Sequence, residues 1–301
     1  MITLEIPDTQ RRLYMPSDLS ECDTRQYNEI SMLIYQLQHG EIDYGTFRVR
    51  AVYMLLNMKQ SPSANNEEEQ EKMSNIYRIS ELVDSFFEDG VDETKILKQY
   101  YVHNPIPKVR PLLRAYYGPK DDFANMQFGE YVDALHFYSE YHETGDKHFL
   151  YMLMATLYRP SKWFNWRNPR TYNNDVRQPY NENLVELRAK KLKHLYFGEV
   201  YGFFLLFASF QKYLCSAKIY WQGRELDLSI LFKNDSSDAF ESQIPGLGMK
   251  STLYTLAESG VFGSIKELRK ENAWEILMRM YDLTKRDLDA KAQQRSIKTG
   301  T

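Results

Sequence analysis

The chain of 301 residues has little cysteine and no long apolar run. Its two cysteines, Cys22 and Cys215, lie far apart in the sequence, which excludes a disulfide framework and favours reduced thiols in a cytosolic protein. The most apolar run, residues 200–210, is much shorter than the roughly 20 residues that a membrane-spanning helix needs. We therefore expect a buried core helix in this run and no membrane association.

The chain also lacks an excess of charge of either sign. Lys and Arg number 38 and Asp and Glu number 41, which gives a formal net charge of -3. This balance provides no overall attraction to nucleic acid or to an anionic membrane. Residues 1–16 contain no basic segment followed by an apolar one, so no secretory signal is predicted and the expected location is the cytoplasm.

Catalytic motifs are the next absence. Residues 245–252 read PGLGMKST and resemble the end of a phosphate-binding loop, but Met249 stands where the motif requires glycine before Lys250. We interpret this stretch as a glycine-rich connection into a helix that Ser251 caps. No Gly-x-Ser-x-Gly elbow and no cysteine in a catalytic context occurs either. The sequence therefore predicts a protein that is not an enzyme and that has no cofactor.

A metal site is not predicted. His136, His142 and His148 are spaced by six residues, which does not place them on one face of a helix, and no cysteine pair accompanies them. The carboxylates of Glu130 and Asp133 are most simply interpreted as part of a solvated helix face.

Aromatic residues, by contrast, are abundant, with 23 Tyr and 16 Phe. Tyrosine combines a large apolar area with a polar tip, which suits protein–protein interfaces as well as cores. Both interpretations remain open from composition alone.

The apolar periodicity predicts a mainly α-helical fold made of successive helical hairpins, with a minor β element at the N-terminus. The predicted hairpins cover residues 26–58 and 127–158 and turn at two loops that resemble each other, residues 39–43 (HGEID) and 142–146 (HETGD). Further helices are expected over residues 73–87, 184–213 and 264–286. Residues 104–119 contain four prolines and are expected to form an extended strap. The predicted β element is a hairpin or an extended arm within residues 1–15.

Four segments follow from these patterns. Residues 1–59 form the β arm and the first helical hairpin, and the polar residues 60–72 form a flexible linker or an insertion. Residues 73–286 form the helical main domain. Residues 287–301 lose the apolar face and are expected to form a frayed polar tail.

The segment that follows the second hairpin interleaves cations with aromatic rings over residues 159–177. Such a surface can hold single-stranded nucleic acid, form a protein interface, or lie as an internal strap between helices. The near-neutral chain favours the interface or the strap over nucleic acid. The candidate interface residues are Arg159, Trp163, Trp166, Arg167, Arg170 and Tyr172.

The order of residues resembles proteins of tailed phages and prophages of Bacteroidetes hosts. The resemblance rests on residues 15–19 (MPSDL), 128–131 (FGEY) and above all 155–160 (ATLYRP). The aromatic helix over residues 198–210 and the ending over residues 262–281 are also similar. The resemblance implies a role in virion or tail assembly, and it carries over no site residue.

From these observations we expect a non-enzymatic phage protein that acts in virion or tail assembly through protein–protein contacts. It would work as a tail-assembly chaperone-like factor or as a structural subunit of the tail or neck. The expected partners are virion or tail proteins and further copies of the chain, in the host cytoplasm or in the virion. The alternative is a nucleic-acid-associated phage protein that uses residues 159–177.

Overall fold

Helices make up most of the structure, and the prediction of a mainly α-helical fold is confirmed. The computed structural model describes residues 1–6, 11–58, 66–90, 94–162, 175–216, 218–221, 224–231, 256 and 263–299. The helices in chain order are α1 (Thr24–Gln38), α2 (Tyr44–Leu55), α3 (Asn66–Ser80), α4 (Phe128–Thr144), α5 (Lys147–Leu157), α6 (Val185–Leu192), α7 (Phe197–Ser216), α8 (Ile265–Leu268) and α9 (Ala273–Thr299).

Short antiparallel strands accompany the helices. They are β1 (Ile2–Ile6), β2 (Arg11–Met15), β3 (Phe87–Asp89), β4 (Lys95–Leu97), β5 (Lys108–Val109), β6 (Tyr116–Tyr117), β7 (Arg159–Pro160), β8 (Lys218–Trp221) and β9 (Arg224–Asp227). The predicted β element at the N-terminus is confirmed and takes the form of a hairpin, in which β1 pairs with β2 and Ile2 lies opposite Met15. The sheet that matters for the site has the order β5-β6-β7, with Tyr116 opposite Pro160.

Both predicted helical hairpins are present, and both use the same turn chemistry. In the first, α1 ends before Gly40, whose φ of +68° is the left-handed conformation that glycine adopts without steric cost. Asp43 then caps α2. In the second, Gly145 also has a φ of +68° and Asp146 caps α5. The correspondence extends the similarity that the two loops show in sequence.

The apolar helix α7 lies in the centre of the core, and the prediction of a buried helix over residues 200–210 is confirmed. It packs against α1 and α5, while α6 packs against α5. Its aromatic side chains contact other rings edge-on or stacked, as Phe203 does with Tyr158 at a centroid distance of 4.9 Å. Many of the abundant aromatic residues are therefore core residues.

Two helices are longer than the periodicity predicts. Helix α3 begins at Asn66, inside the predicted linker and seven residues before the expected start at Met73, and α9 continues to Thr299 through the predicted frayed tail. The α3 extension consists mainly of Glu, Gln and Lys, and the α9 extension contains Ala, Gln, Lys and Arg. These residues favour helix without any apolar face. In α9 the ion pairs Asp282–Arg286 and Asp287–Lys291, at 2.9 and 2.8 Å, add support at (i, i+4) spacing.

Two expected helices are interrupted instead. The long helix predicted over residues 184–213 is divided into α6 and α7 by a turn in which the Leu195 N–H donates to the Leu192 carbonyl at 3.0 Å. The division lets α6 pack against α5 while α7 packs against α1. The helix predicted over residues 264–286 is divided into α8 and α9.

Residues 104–119 contain only the short strands β5 and β6, as four prolines require. The glycine-rich residues 245–252 lie outside the described residues.

Helices α1 and α7 approach closely because two glycines, Gly198 and Gly202, lie one turn apart on the face of α7 toward α1. A Cβ atom at Gly198 would collide with the backbone carbonyl of Asn28, and one at Gly202 would lie 2.8 Å from the ring of Tyr27. The Tyr27 hydroxyl donates to the Gly202 carbonyl at 2.8 Å, which fixes the two helices at this spacing.

We predict that Gly198→Ala lowers the free energy of unfolding by about 1–3 kcal/mol, because a backbone carbonyl cannot move aside for the added methyl group. Gly45→Ala in α2 is the matched control, since its Cβ would lie 3.2 Å from Oδ1 of the exposed Asp43 side chain, which needs to move by only a few tenths of an ångström, and not against a backbone carbonyl. The control should be neutral or stabilising by up to about 1 kcal/mol. Urea denaturation measures both, and equal stability of Gly198→Ala and the wild type would contradict the packing.

Candidate functional site

A buried carboxylate begins the second helical hairpin. Glu130 lies in the first turn of α4, is 0% exposed, and accepts a hydrogen bond from the Gln127 N–H at 2.8 Å in a capping box. The carboxylate therefore accepts a hydrogen bond from one of the free N–H groups at the helix start. Its negative charge also interacts favourably with the positive end of the helix dipole. The expectation that Glu130 belongs to a solvated face is wrong, because a buried acid needs a buried cation and the sequence pattern does not show the partner.

Two buried arginines supply the opposite charge. Arg159 forms a direct ion pair with Glu130, and Arg177 lies 3.6 Å from the same carboxylate. Arg177 also binds Asp175, with Nη2 and Oδ2 2.9 Å apart. Burial alone would raise the pKa of Asp175, but hydrogen bonds from Arg177 hold it below its usual value. We call these four residues the arginine clamp; they carry two positive and two negative charges.

The clamp also caps the end of α5. Arg159 Nη1 donates to the Thr156 carbonyl at 3.1 Å and Arg177 Nη1 donates to the Leu157 carbonyl at 2.9 Å. These are among the last carbonyls of the helix and have no partner inside it. Positive charge at a helix C-terminus is also favourable to its dipole. The clamp thus joins the start of α4 to the end of α5.

The predicted interface residue Arg159 therefore belongs to the interior. Its side chain is 2% exposed and fully engaged, so it is not available to a partner at the surface. The remaining candidates, Trp163, Trp166, Arg167, Arg170 and Tyr172, lie outside the described residues, so their role stays a prediction. Residues 162 and 175–177 close the base of that segment, since the Lys162 N–H donates to the Val176 carbonyl at 2.9 Å and Ser161 pairs with Arg177.

A cleft of about 780 Å³ adjoins the clamp. Its walls come from residues 178–184, the start of α6 and the α8 region, and Tyr180 connects it to the clamp. The Arg159 guanidinium lies 5.7 Å from the centre of the Tyr180 ring, and the Tyr180 hydroxyl donates to Asp133. Asp133 is mostly buried and paired with Arg269, so its expected place on a solvated face is also wrong.

The cleft is lined mainly by cations among its charged residues. Among the described residues they are Lys162, Arg188, Lys266, Arg269 and Lys270, and the acid there is Glu182. Glu182 is already bound to Arg269, which also binds Asp133, so the charge of this acid is matched by Arg269 and not by Arg188. Sequence reasoning missed the cleft because its residues come from segments far apart in the chain.

Arg188 is the unusual member of this set. It is only 3% exposed, and its Nη1 is fully buried with no hydrogen-bond partner among the described residues. Val185, Ala189 and Leu192 are the other buried positions of α6, whereas Leu187 is 54% exposed. Burial lowers the pKa of the Arg188 guanidinium. The sequence signal that could have identified this residue is a charged side chain at helical spacing from the apolar Val185, Ala189 and Leu192.

Apart from the cleft, the tip of the β5–β6 hairpin is a candidate binding surface. Leu112 is 65% exposed and has a φ of +58°, a strained conformation for a residue other than glycine. Leu113 is fully exposed, while Val109 and Tyr116 at the base are buried. A rigid base therefore presents two leucines to solvent, flanked by the exposed Arg110 and Arg114.

Comparison with known proteins adds no identification, since a scan of protein families, a search of curated proteins and a search of solved structures each found no match. No helix in the described part of the chain has both the length and the apolar character needed to cross a bilayer. Within the same residues, no group of three or more His, Cys, Asp or Glu side chains is placed to hold a metal ion.

We predict that Glu130→Gln lowers the free energy of unfolding by about 3–5 kcal/mol, because it leaves two buried guanidinium groups with one carboxylate. Glutamine keeps the acceptor of the capping box, so the loss reports the charge. Glu140→Gln, on the same helix and partly exposed, is the control and should change stability by less than about 0.5 kcal/mol. Chemical denaturation measures both, and equal effects would contradict the role of the clamp.

Proposed function

We propose that the protein acts in virion or tail assembly of a tailed phage by binding other proteins, and that it works without catalysis. The phage setting comes from the resemblance of residues 128–131 and 155–160. The observation that carries the mode of action is the Leu112–Leu113 tip. Neighbouring apolar side chains that project from a rigid base bury their area at little entropic cost when a partner covers them.

The construction of the tip supports this proposal. Its base is held by the pairing of Val109 with Tyr116, and β6 is paired in turn with β7, which the arginine clamp fixes. The Gly118 N–H donates to the Pro107 carbonyl at 3.0 Å and closes the hairpin. A tip that only connected two strands would not need two exposed leucines. Each leucine contributes about 1.5–3 kcal/mol to the binding free energy when a partner covers its apolar surface.

The nucleic-acid alternative has less support. Two of the cations counted for it, Arg159 and Arg177, are buried in the arginine clamp and cannot contact phosphates at the surface. What remains of the basic segment in the described residues is Lys162. A protein partner also agrees better with the formal net charge of -3.

We predict that Leu113→Asp reduces the capture of a virion protein at least about tenfold, because a charge in a desolvated contact costs more than 1.4 kcal/mol. The bait is the tagged full chain expressed together with the genes that flank its own, and the bound proteins are quantified by mass spectrometry. Since the side chain is exposed, the variant should keep wild-type stability within about 0.5 kcal/mol.

Leu283→Asp is the matched control, since Leu283 is an exposed leucine on α9 and 41% accessible. It should capture as much virion protein as the wild type. A wild-type bait that captures no virion protein, or a Leu113→Asp variant that captures the same amount, would refute the proposal. Gene order gives an independent check, because tail-assembly genes flank a gene with this role.

A further inference from the structure

We propose that the cleft beside the arginine clamp binds a phosphate-bearing anion, with Arg188 as its anchor. This site is separate from the hairpin tip and does not depend on the role of the tip in assembly. Arg188 is buried, and its Nη1 atom has no hydrogen-bond partner among the described residues. Arginine remains charged under all ordinary conditions, so it cannot avoid the cost of burial by losing its proton.

The groups around Arg188 do not compensate its charge. The titratable side chains that act on it are Tyr116, Tyr180 and Arg114. Burial raises the pKa of both tyrosines, so both are neutral at pH 7, and Arg114 is a like charge. No ion pair joins Arg188 to a carboxylate within the described residues.

The buried arginines of the clamp differ from Arg188 in their partners. Arg159 and Arg177 are as buried as Arg188, but each has a carboxylate and backbone carbonyls as partners. An uncompensated buried charge is costly, and in folded proteins such charges are paired or bind a ligand. Arg188 lines the cleft, so an anion that enters from solvent can supply the missing partner.

The remaining lining sets the chemistry of the ligand. Lys266 and Lys270 add two further positive charges to the wall, and Arg269 adds a third that Asp133 and Glu182 already neutralise. More than one uncompensated cation favours an anion with more than one charge, and guanidinium matches phosphate oxygens in geometry. The volume of about 780 Å³ exceeds the size of a single phosphate. It is within the range of roughly 300–1,000 Å³ found for organic ligands.

The test measures binding of inorganic pyrophosphate to the full chain by isothermal titration calorimetry and by thermal unfolding, with sodium chloride at equal ionic strength as the reference. We expect saturable binding of one pyrophosphate per chain. At a concentration of 100 times Kd, the unfolding equilibrium constant should fall about 100-fold. The salt reference should give no such change.

Arg188→Gln should weaken pyrophosphate binding at least about tenfold, since a hydrogen bond to a charged group contributes more than 1.4 kcal/mol. Without pyrophosphate the variant should be no less stable than the wild type, because the charge that it removes has no carboxylate partner in the described part of the chain. A purely structural role for Arg188 would give the opposite result. Lys266→Gln/Lys270→Gln provides a second variant at exposed positions and should also weaken binding.

Lys193→Gln is the control, because this exposed lysine follows α6 but does not line the cleft. It should bind pyrophosphate as the wild type does. An oligothymidylate that displaces pyrophosphate would identify the source of the phosphate as nucleic acid, and failure to displace it would indicate a small molecule. No saturable binding by the wild type, or equal binding by wild type and both cleft variants, would overturn the proposal.

Discussion

The buried carboxylate of Glu130 is the constraint on which this end of the molecule depends. Removing a carboxylate from water is costly unless cations and hydrogen bonds replace the lost solvation. Arg159 supplies one cation from just after the end of α5, and Arg177 supplies another from a segment 18 residues further along the chain. Three separate parts of the chain must therefore meet at one point before the charge is compensated.

That meeting point fixes what surrounds it. Because Arg159 is held at the end of α5, β7 is aligned with β6, and β6 supports the Leu112–Leu113 tip. On its other side, the chain from Pro160 pairs with residues 176–178, where the Gln178 N–H donates to the Pro160 carbonyl at 2.9 Å. This second pairing leads directly into the cleft wall. The arginine clamp therefore positions both the Leu112–Leu113 tip and the wall of the cleft.

Local signals in the sequence account for most of the fold. Apolar periodicity placed the two helical hairpins and the buried helix α7, and Gly40, Gly145, Asp43 and Asp146 marked their turns. Periodicity failed where helix propensity alone extends a helix, as in α3 and α9. It also failed at Glu130 and Asp133 and gave no prediction for Arg188, because a pattern assigns a charged residue to the surface unless its distant partner, or the lack of one, is known. The site depends on such long-range pairings.

Helix α6 shows how a site can arise at the expense of local consistency. Val185, Ala189 and Leu192 are buried, and this choice of face also buries Arg188 while Leu187 stays exposed. Leu187 and Arg188 lie about 100° apart around the helix axis, so only a large rotation would bury the leucine in place of the guanidinium, and it would move the other three side chains out of contact. Natural sequences are mostly consistent from one level to the next, and departures concentrate at functional sites. Arg159 has carboxylate partners, whereas Arg188 has none in the part of the chain that the structure describes. This contrast separates an arginine that holds the fold together from one that we propose binds a ligand.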